Sequence, residues 1–150
     1  HINIVSKLLD DNKKEIIMTD FPAIADSPLN RLLGVEIVSF DPEKGHVKCT
    51  FNISEDLNNL QGIIHGGIIA TMLDQLCGLA LAYKRGKFKT PEQVTLDLNV
   101  RFMRPVAAGP LWGIGQVERM GRTIGFVESM LYDDQDRLLA KASTSFKIFS

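Results

Sequence analysis

A carboxylate inside a long apolar segment is the residue of this sequence with the clearest chemical potential. Asp74 lies within residues 66–83, where most of the other side chains are aliphatic. A carboxylate buried among apolar groups is costly unless it is paired or its pKa rises. Groups with perturbed pKa values collect at functional sites, so Asp74 is a candidate general base or nucleophile. The alternative is a structural carboxylate that is satisfied by a neighbouring amide.

Two adjacent glycines, Gly66 and Gly67, open the same segment directly after His65. Glycines at the start of a helix let another molecule approach the backbone closely. The first amide N–H groups of a helix have no internal acceptor and lie at its positive end. These amides could therefore stabilise a developing oxyanion, as acyl transfer requires.

The spacing of the acid and the amides constrains how they can cooperate. Gly66 and Asp74 are eight residues apart, which is roughly 12 Å along a helix. His65 and Asp74 are nine apart, which places them on nearly opposite sides of the helix. One chain cannot bring both groups to one carbonyl carbon. The sequence therefore predicts that a neighbouring copy supplies the acid, with two equivalent composite sites in a two-fold dimer.

The elements that must position these groups are one long helix and a set of strands. The helix is apolar on nearly every side, which predicts that protein surrounds it. Apolar residues at every second position predict about five or six antiparallel strands, including one with Val94, Leu96, Leu98, Val100 and Phe102 on one face. The predicted fold class is α+β, with an antiparallel sheet wrapped around one long central helix.

The chain is predicted to contain one domain, 27–150, preceded by an extension, 1–26, with some helical tendency. The domain opens with a short helix, for which Ser27 is the cap, Pro28 the first residue and Gly34 the left-handed exit. One sheet around one helix leaves edges uncovered, and a second copy of the chain is the simplest cover for them.

Composition limits the other functions that the chain can have. The 150 residues have a net charge of −1, two cysteines and three histidines. This charge gives no field that would attract nucleic acid, and the scattered Cys and His residues predict neither a zinc site nor a disulfide. Residues 63–83 contain His65, Asp74 and Gln75, which argue against a membrane span. With no continuous apolar core in residues 1–21, we expect a cytoplasmic protein that needs no metal or cofactor.

A motif at the start of the long helix resembles a known family. It reads Asn59-x-x-Gly62-x-x-His65-Gly66-Gly67 and is followed by Asp74. This pattern resembles the PaaI-like branch of the hotdog-fold acyl-CoA thioesterases. The resemblance covers roughly residues 30–149 and continues through residues 95–99, Arg104-Pro105 and Gly121-Arg122.

The resemblance implies a hotdog fold and a homodimer, often paired into a dimer of dimers, with the active site at the subunit boundary. It also implies roles for individual residues. These are Asp74 as the catalytic carboxylate, the Gly66 N–H as the oxyanion donor, Asn59 as the amide that positions water or substrate, His65 as the motif histidine, and Thr95 beside the attacking water. The candidates for substrate binding are Gly67, Gly62, Arg104 and Arg122.

Other interpretations of the same residues stay open at this stage. His65 could serve only to pack and hydrogen-bond at the helix start, and Asn59 could simply close a turn. The chain could be a non-catalytic acyl-CoA-binding module, or a hotdog dehydratase or hydratase. The sequence does not identify the acyl group of an acyl-CoA substrate.

Overall fold

The computed structural model describes residues 26–87 and 90–149, so nearly all of the predicted N-terminal extension lies outside the described residues. Two helices and six strands follow in chain order: α1 (Pro28–Leu33), β1 (Glu36–Asp41), β2 (His46–Ile53), α2 (Gly66–Lys84), β3 (Gln93–Phe102), β4 (Gly109–Met120), β5 (Ile124–Asp133) and β6 (Leu138–Ile148). The strands form one antiparallel sheet in the order β1-β2-β4-β5-β6-β3. This confirms the predicted α+β hotdog fold.

Helix α2 is the centre of the hydrophobic core and contacts all six strands. Its sheet-facing side chains are fully buried, among them Met72, Leu73, Leu76 and Cys77. The prediction of an enclosed helix is therefore correct for most of its surface. It is wrong for one stripe, which includes Asp74 and is only partly buried.

Three glycines on β4 and β5 allow α2 to lie close against the sheet. A Cβ atom at Gly115 would lie 2.2 Å from the backbone carbonyl oxygen of Leu76, and one at Gly113 would lie 2.5 Å from Cδ1 of the Leu76 side chain. A Cβ atom at Gly125 would lie 2.8 Å from Leu81. Real Cβ atoms do not come this close to their neighbours. Side chains at these glycines would push the helix away from the strands.

Helix α1 has the caps that its sequence predicts. The Asn30 N–H donates to Ser27 Oγ at 3.1 Å, Pro28 occupies the first turn, and Gly34 has φ 61° at the exit. The buried Asn30 side chain also accepts a hydrogen bond from Gln75 Nε2 at 2.7 Å. This bond fixes α1 against the middle of α2, one residue after Asp74.

Both cysteines are buried and unpaired, as the apolar pattern around them predicts. Burial raises the pKa of the Cys49 thiol to about 12 and that of the Cys77 thiol to about 11. Thiols with such pKa values stay protonated at neutral pH and act as small apolar side chains.

Strand β3 is an edge of the sheet, because it pairs with β6 on one side only. The pairing shifts by one residue between Thr95 and Asp97, so Leu96 forms a β-bulge. As a result, Thr95 and Leu98 both lie on the side of the strand toward α2: Thr95 is exposed but contacts Asp74, and Leu98 packs against the core. Leu96 is 55% exposed. The predicted strict alternation along this strand is therefore wrong.

By length and composition, α2 could also cross a membrane, with a hydropathy of 1.3 over its most apolar window. The contacts of α2 with all six strands are instead those of a core helix.

Candidate active site

His65 is the N-cap of α2. Its backbone is extended, with φ −59° and ψ 137°, and its Nδ1 accepts the N–H of Gly67 at 2.9 Å. Its carbonyl oxygen accepts the N–H groups of Ile68 and Ile69 at 2.9 and 3.2 Å. The Ile69 bond is the first ordinary bond of the helix, and the N–H of His65 itself donates to the Leu57 carbonyl oxygen at 3.1 Å. Three of the four free donors at the helix start, those of His65, Gly67 and Ile68, therefore have acceptors. With Nδ1 accepting, the proton of the neutral ring is on Nε2.

The fourth donor, the N–H of Gly66, has no acceptor among the described residues. The ring of Phe102 lies beside this residue, because a Cβ atom at Gly66 would be 3.5 Å from the ring edge. An unpaired N–H at the positive end of a helix can hold a carbonyl oxygen as it gains negative charge. The predicted donor role of Gly66 stays a prediction, to which this N–H is suited. The sequence predicts Phe102 as a strand residue but gives no sign of its place beside the site, because the last apolar residue of a strand carries no local signal for such a contact.

Asn59 closes the loop that leads into α2. Its Oδ1 accepts the N–H groups of Gln61 at 2.9 Å and Ile63 at 3.4 Å, and its own N–H donates to the Ile63 carbonyl oxygen at 2.7 Å. The side-chain oxygen is thus committed to the turn, which was the simpler of the two sequence interpretations. If Asn59 positions a substrate, it does so through the N–H donors of its Nδ2 group.

Gly62 and Gly67 have structural reasons to be glycine. Gly62 has φ 77°, and nothing lies within 4 Å of the position of its Cβ atom, so backbone conformation explains it. A Cβ atom at Gly67 would lie 3.1 Å from Nδ1 of the His65 ring, which is tighter than ordinary contact, and the N–H of Gly67 already donates to that ring. Their predicted contacts with substrate stay predictions.

Asp74 is half-buried, and the Thr95 hydroxyl donates to its Oδ1 at 2.9 Å. Burial raises the pKa of Asp74, and the hydrogen bond from Thr95 partly offsets this rise. Thr95 therefore lies beside the acid. Its implied place beside the attacking water stays a prediction. The carboxylate keeps its second oxygen for a water molecule or a substrate.

These residues form two separate groups within one chain. The amide half-site consists of Asn59, His65 and Gly66, and the acid half-site consists of Asp74 and Thr95. The residues of both half-sites lie on α2 or next to it. The rise per residue along this helix keeps Gly66 and Asp74 roughly 12 Å apart. The structure thus assembles each half-site but does not bring the two together.

The two arginines among the candidates for substrate binding, Arg104 and Arg122, lie near opposite ends of α2. Arg104 is exposed just after β3. It lies two residues before Val106, whose carbonyl oxygen accepts the N–H of Ile64 next to the start of α2. Arg122 is exposed in the β4–β5 turn, close to Gly125, which contacts Leu81 near the end of α2. The predicted contacts of both arginines with substrate stay predictions.

Comparisons with known proteins identify the family. The thioesterase superfamily model matches residues 61–140. The chain is 25% identical over 134 residues to a medium/long-chain acyl-CoA thioesterase of Salmonella typhimurium, covering 81% of this chain and 85% of that protein. The chain belongs to the thioesterase superfamily, as its motif predicts, and is a thioester hydrolase by family.

Three solved structures share this fold. Zebra fish thioesterase superfamily member 2 has a TM-score of 0.73 and 29% identity, covering 89% of this chain and 96% of that one. A Streptococcus mutans protein bound to acetyl-CoA has a TM-score of 0.67 and 27% identity, covering 77% of this chain and 89% of that one. A phenylacetic acid degradation-related protein of Ralstonia eutropha has a TM-score of 0.73 and 29% identity, covering 85% of this chain and 90% of that one, in agreement with the PaaI-like resemblance of the motif.

The hydrogen bond from Thr95 generates a prediction about the pKa of Asp74. We expect Thr95→Val to raise this pKa further, because the bond stabilises the ionised carboxylate and its loss leaves burial unopposed. Carbon-13 NMR titration of the aspartate carboxyl groups measures the shift. Thr71→Val is the matched control, since the Thr71 hydroxyl donates to the Gly67 carbonyl oxygen instead. Equal pKa values of Asp74 in both variants would contradict the assignment.

Proposed function

We propose that this protein hydrolyses acyl-CoA thioesters at a site that two subunits share. The Gly66 N–H of one subunit holds the thioester carbonyl oxygen, and Asp74 of the partner subunit acts on the carbonyl carbon. The observation that carries this proposal is the pair of half-sites on one helix. One has an unpaired amide and the other has a half-buried acid with a raised pKa, and they are too far apart to meet.

The exposed edge of the sheet supports pairing between subunits. Strand β3 has ten residues, and no other described strand pairs with its outer edge. An edge of this length favours pairing with another strand. Gly66 lies beside Phe102 at the end of β3, whereas Asp74 lies beside Thr95 near its start. When two β3 strands pair antiparallel, the end of one meets the start of the other. The same two-fold operation brings each amide half-site to the partner's acid half-site.

Exposed apolar side chains on and after β3 also favour this interface. Val94, Leu96 and Phe102 are each at least half exposed, and Met103 is 40% exposed. Such a cluster along a strand edge is typical of a surface that another protein covers. We therefore propose a homodimer, with a dimer of dimers as its expected higher assembly.

The chemistry follows from these two groups. Asp74 takes a proton from water as the water oxygen attacks the carbonyl carbon, and the Gly66 N–H stabilises the resulting oxyanion. The tetrahedral intermediate then collapses, the C–S bond breaks, and coenzyme A leaves as a thiolate that takes up the proton. A direct attack by Asp74 would form an anhydride, which water then cleaves. Both routes need the acid to be ionised.

The acyl-CoA class of substrate rests on the relatives. The Salmonella relative is named as an acyl-CoA thioesterase, and the Streptococcus structure contains acetyl-CoA. A thiolate leaves readily, so the absence of a second acid beside Asp74 among the described residues fits thioester cleavage. We expect the reaction to take place in the cytoplasm.

We predict that Asp74→Asn lowers kcat at least ~10²-fold, because the amide can neither accept the proton of water nor attack the carbonyl. Release of free thiol from a panel of acyl-CoA substrates measures the rate. Circular dichroism confirms that the variant is folded. A variant with the wild-type kcat would exclude a catalytic Asp74. Thiol release also separates hydrolysis from simple acyl-CoA binding and from hydration of an enoyl-CoA, which release none.

We predict that Gly66→Pro lowers kcat ~10²- to 10³-fold, the range for loss of one oxyanion donor. Proline removes only the N–H, because it suits the first position of a helix and the extended His65 backbone suits the residue before a proline. Gly66→Ala is the matched control, since it keeps the N–H and its Cβ atom fits at 3.5 Å from Phe102. Equal rates for the two variants would show that this amide is not the oxyanion donor.

A further inference from the structure

Gly78 lies in the middle of α2, where glycine is unfavourable relative to alanine. The glycines on the sheet are explained by the close approach of the helix, but Gly78 is not. A Cβ atom at Gly78 would meet its nearest neighbours, Gln93 Nε2 and the Phe146 ring, at 3.8–4.0 Å, which is ordinary contact. Its φ is also in the normal range for a helix. Nothing in the part of the chain that the structure describes requires a glycine at this position.

The position of Gly78 suggests what requires it. Gly78 is one helical turn after Asp74, so it lies on the same partly buried stripe of α2. In the proposed dimer, the residue midway between positions 66 and 74 lies near the two-fold axis, where the partner's helix approaches. In this dimer, the partner subunit therefore covers the part of the stripe that runs from Asp74 back to position 70. The stripe toward Gly78 is the side that stays open.

A chain of hydrogen bonds lies beside Gly78, near the end of this stripe. Gln93 Nε2 donates to the Gly78 carbonyl oxygen at 2.8 Å, and Arg85 Nη1 donates to Gln93 Oε1 at 3.0 Å. The Gln93 side chain is thus held beside Gly78. One further turn along the helix, Ala82 is completely buried, so the partly buried stripe ends there.

We propose that Gly78 is the floor of the acyl pocket and that it sets the length of acyl group that the enzyme accepts. This inference rests on the proposed function. The thioester lies between Gly66 of one subunit and Asp74 of the partner subunit, and the coenzyme A portion extends to solvent. The acyl chain passes over the partner's Gly78 toward the partner's Gln93. The missing side chain provides the space for it.

The test is a series of substitutions at this position. We expect Gly78→Ala, Gly78→Val and Gly78→Leu to lower kcat/KM progressively for octanoyl- and dodecanoyl-CoA relative to acetyl-CoA. The ratio should fall at least ~10-fold by Gly78→Leu, the scale for groups that a pocket wall excludes. Gly121→Ala adds the same methyl group in the β4–β5 turn, where the nearest atom would be 3.4 Å away, and it should leave the ratio as in the wild type.

Two further measurements make the result decisive. Gly78→Ala should melt at the wild-type temperature or above, because alanine is the better helix former and the space exists. Light scattering should show the wild-type assembly. An equal loss for all acyl lengths together with a weakened dimer would overturn the inference and show that the partner's backbone packs on Gly78. An unaltered ratio in all three variants would also overturn it.

The inference and the proposed function can fail separately. A wild-type protein that releases no thiol from any acyl-CoA would contradict the proposed hydrolysis. Binding of non-hydrolysable thioether analogues, measured by calorimetry, still tests the pocket in that case. Gly78→Leu should weaken the binding of the dodecyl analogue at least ~10-fold more than that of the ethyl analogue. Equal effects on both analogues would contradict a role of Gly78 in acyl length.

Discussion

The rise of one α-helix determines how this site must be built. Gly66 and Asp74 are eight residues apart on α2, and a helix packed against six strands cannot bend to bring them together. The spacing separates the Gly66 amide from the Asp74 carboxylate. In the proposed reaction, each group therefore needs its complement from a second subunit. The rest of the fold is consistent with this arrangement. The sheet encloses α2 from one side and leaves β3 as an uncovered edge close to both half-sites.

The half-buried acid lowers the stability of the folded chain at neutral pH. Burial raises the pKa of Asp74 in the folded state above its unfolded value of about 3.9. The folded state therefore binds this proton more tightly than the unfolded state does. The stabilising contribution is complete below the unfolded pKa and is lost as the pH rises through the folded pKa. At neutral pH, the large core around Leu73 and Leu76 compensates for the ionised carboxylate that the proposed reaction needs.

Much of this structure could be predicted from the sequence, because its signals are local. Apolar character gave the long helix to within one residue, as Gly66–Lys84 against a predicted 66–83, and Ser27 and Gly34 gave the caps of α1. The separation of the two half-sites required only the rise per residue. These features depend on residue type and spacing, which the sequence states directly.

The remaining features depend on contacts that residue types do not specify. The bulge at Leu96 adds one residue to one strand and leaves no mark in composition, so the predicted faces of β3 were wrong there. Asn59 has the same side chain whether it positions substrate or closes a turn, and only the bonds to Gln61 and Ile63 reveal the turn. The significance of Gly78 appears only when the space around it is known.

Subunit complementation tests the shared site most directly. Asp74→Asn and Gly66→Pro, each nearly inactive alone, are unfolded together in equal amounts and refolded as a mixture. If the amide and the acid come from different subunits, each mixed dimer has one intact site and one site with both defects. The refolded mixture should then regain about one quarter of the wild-type activity, since half of the dimers are mixed. If both groups come from the same chain, every site contains a defect, and activity no higher than that of the separate variants would contradict the shared site.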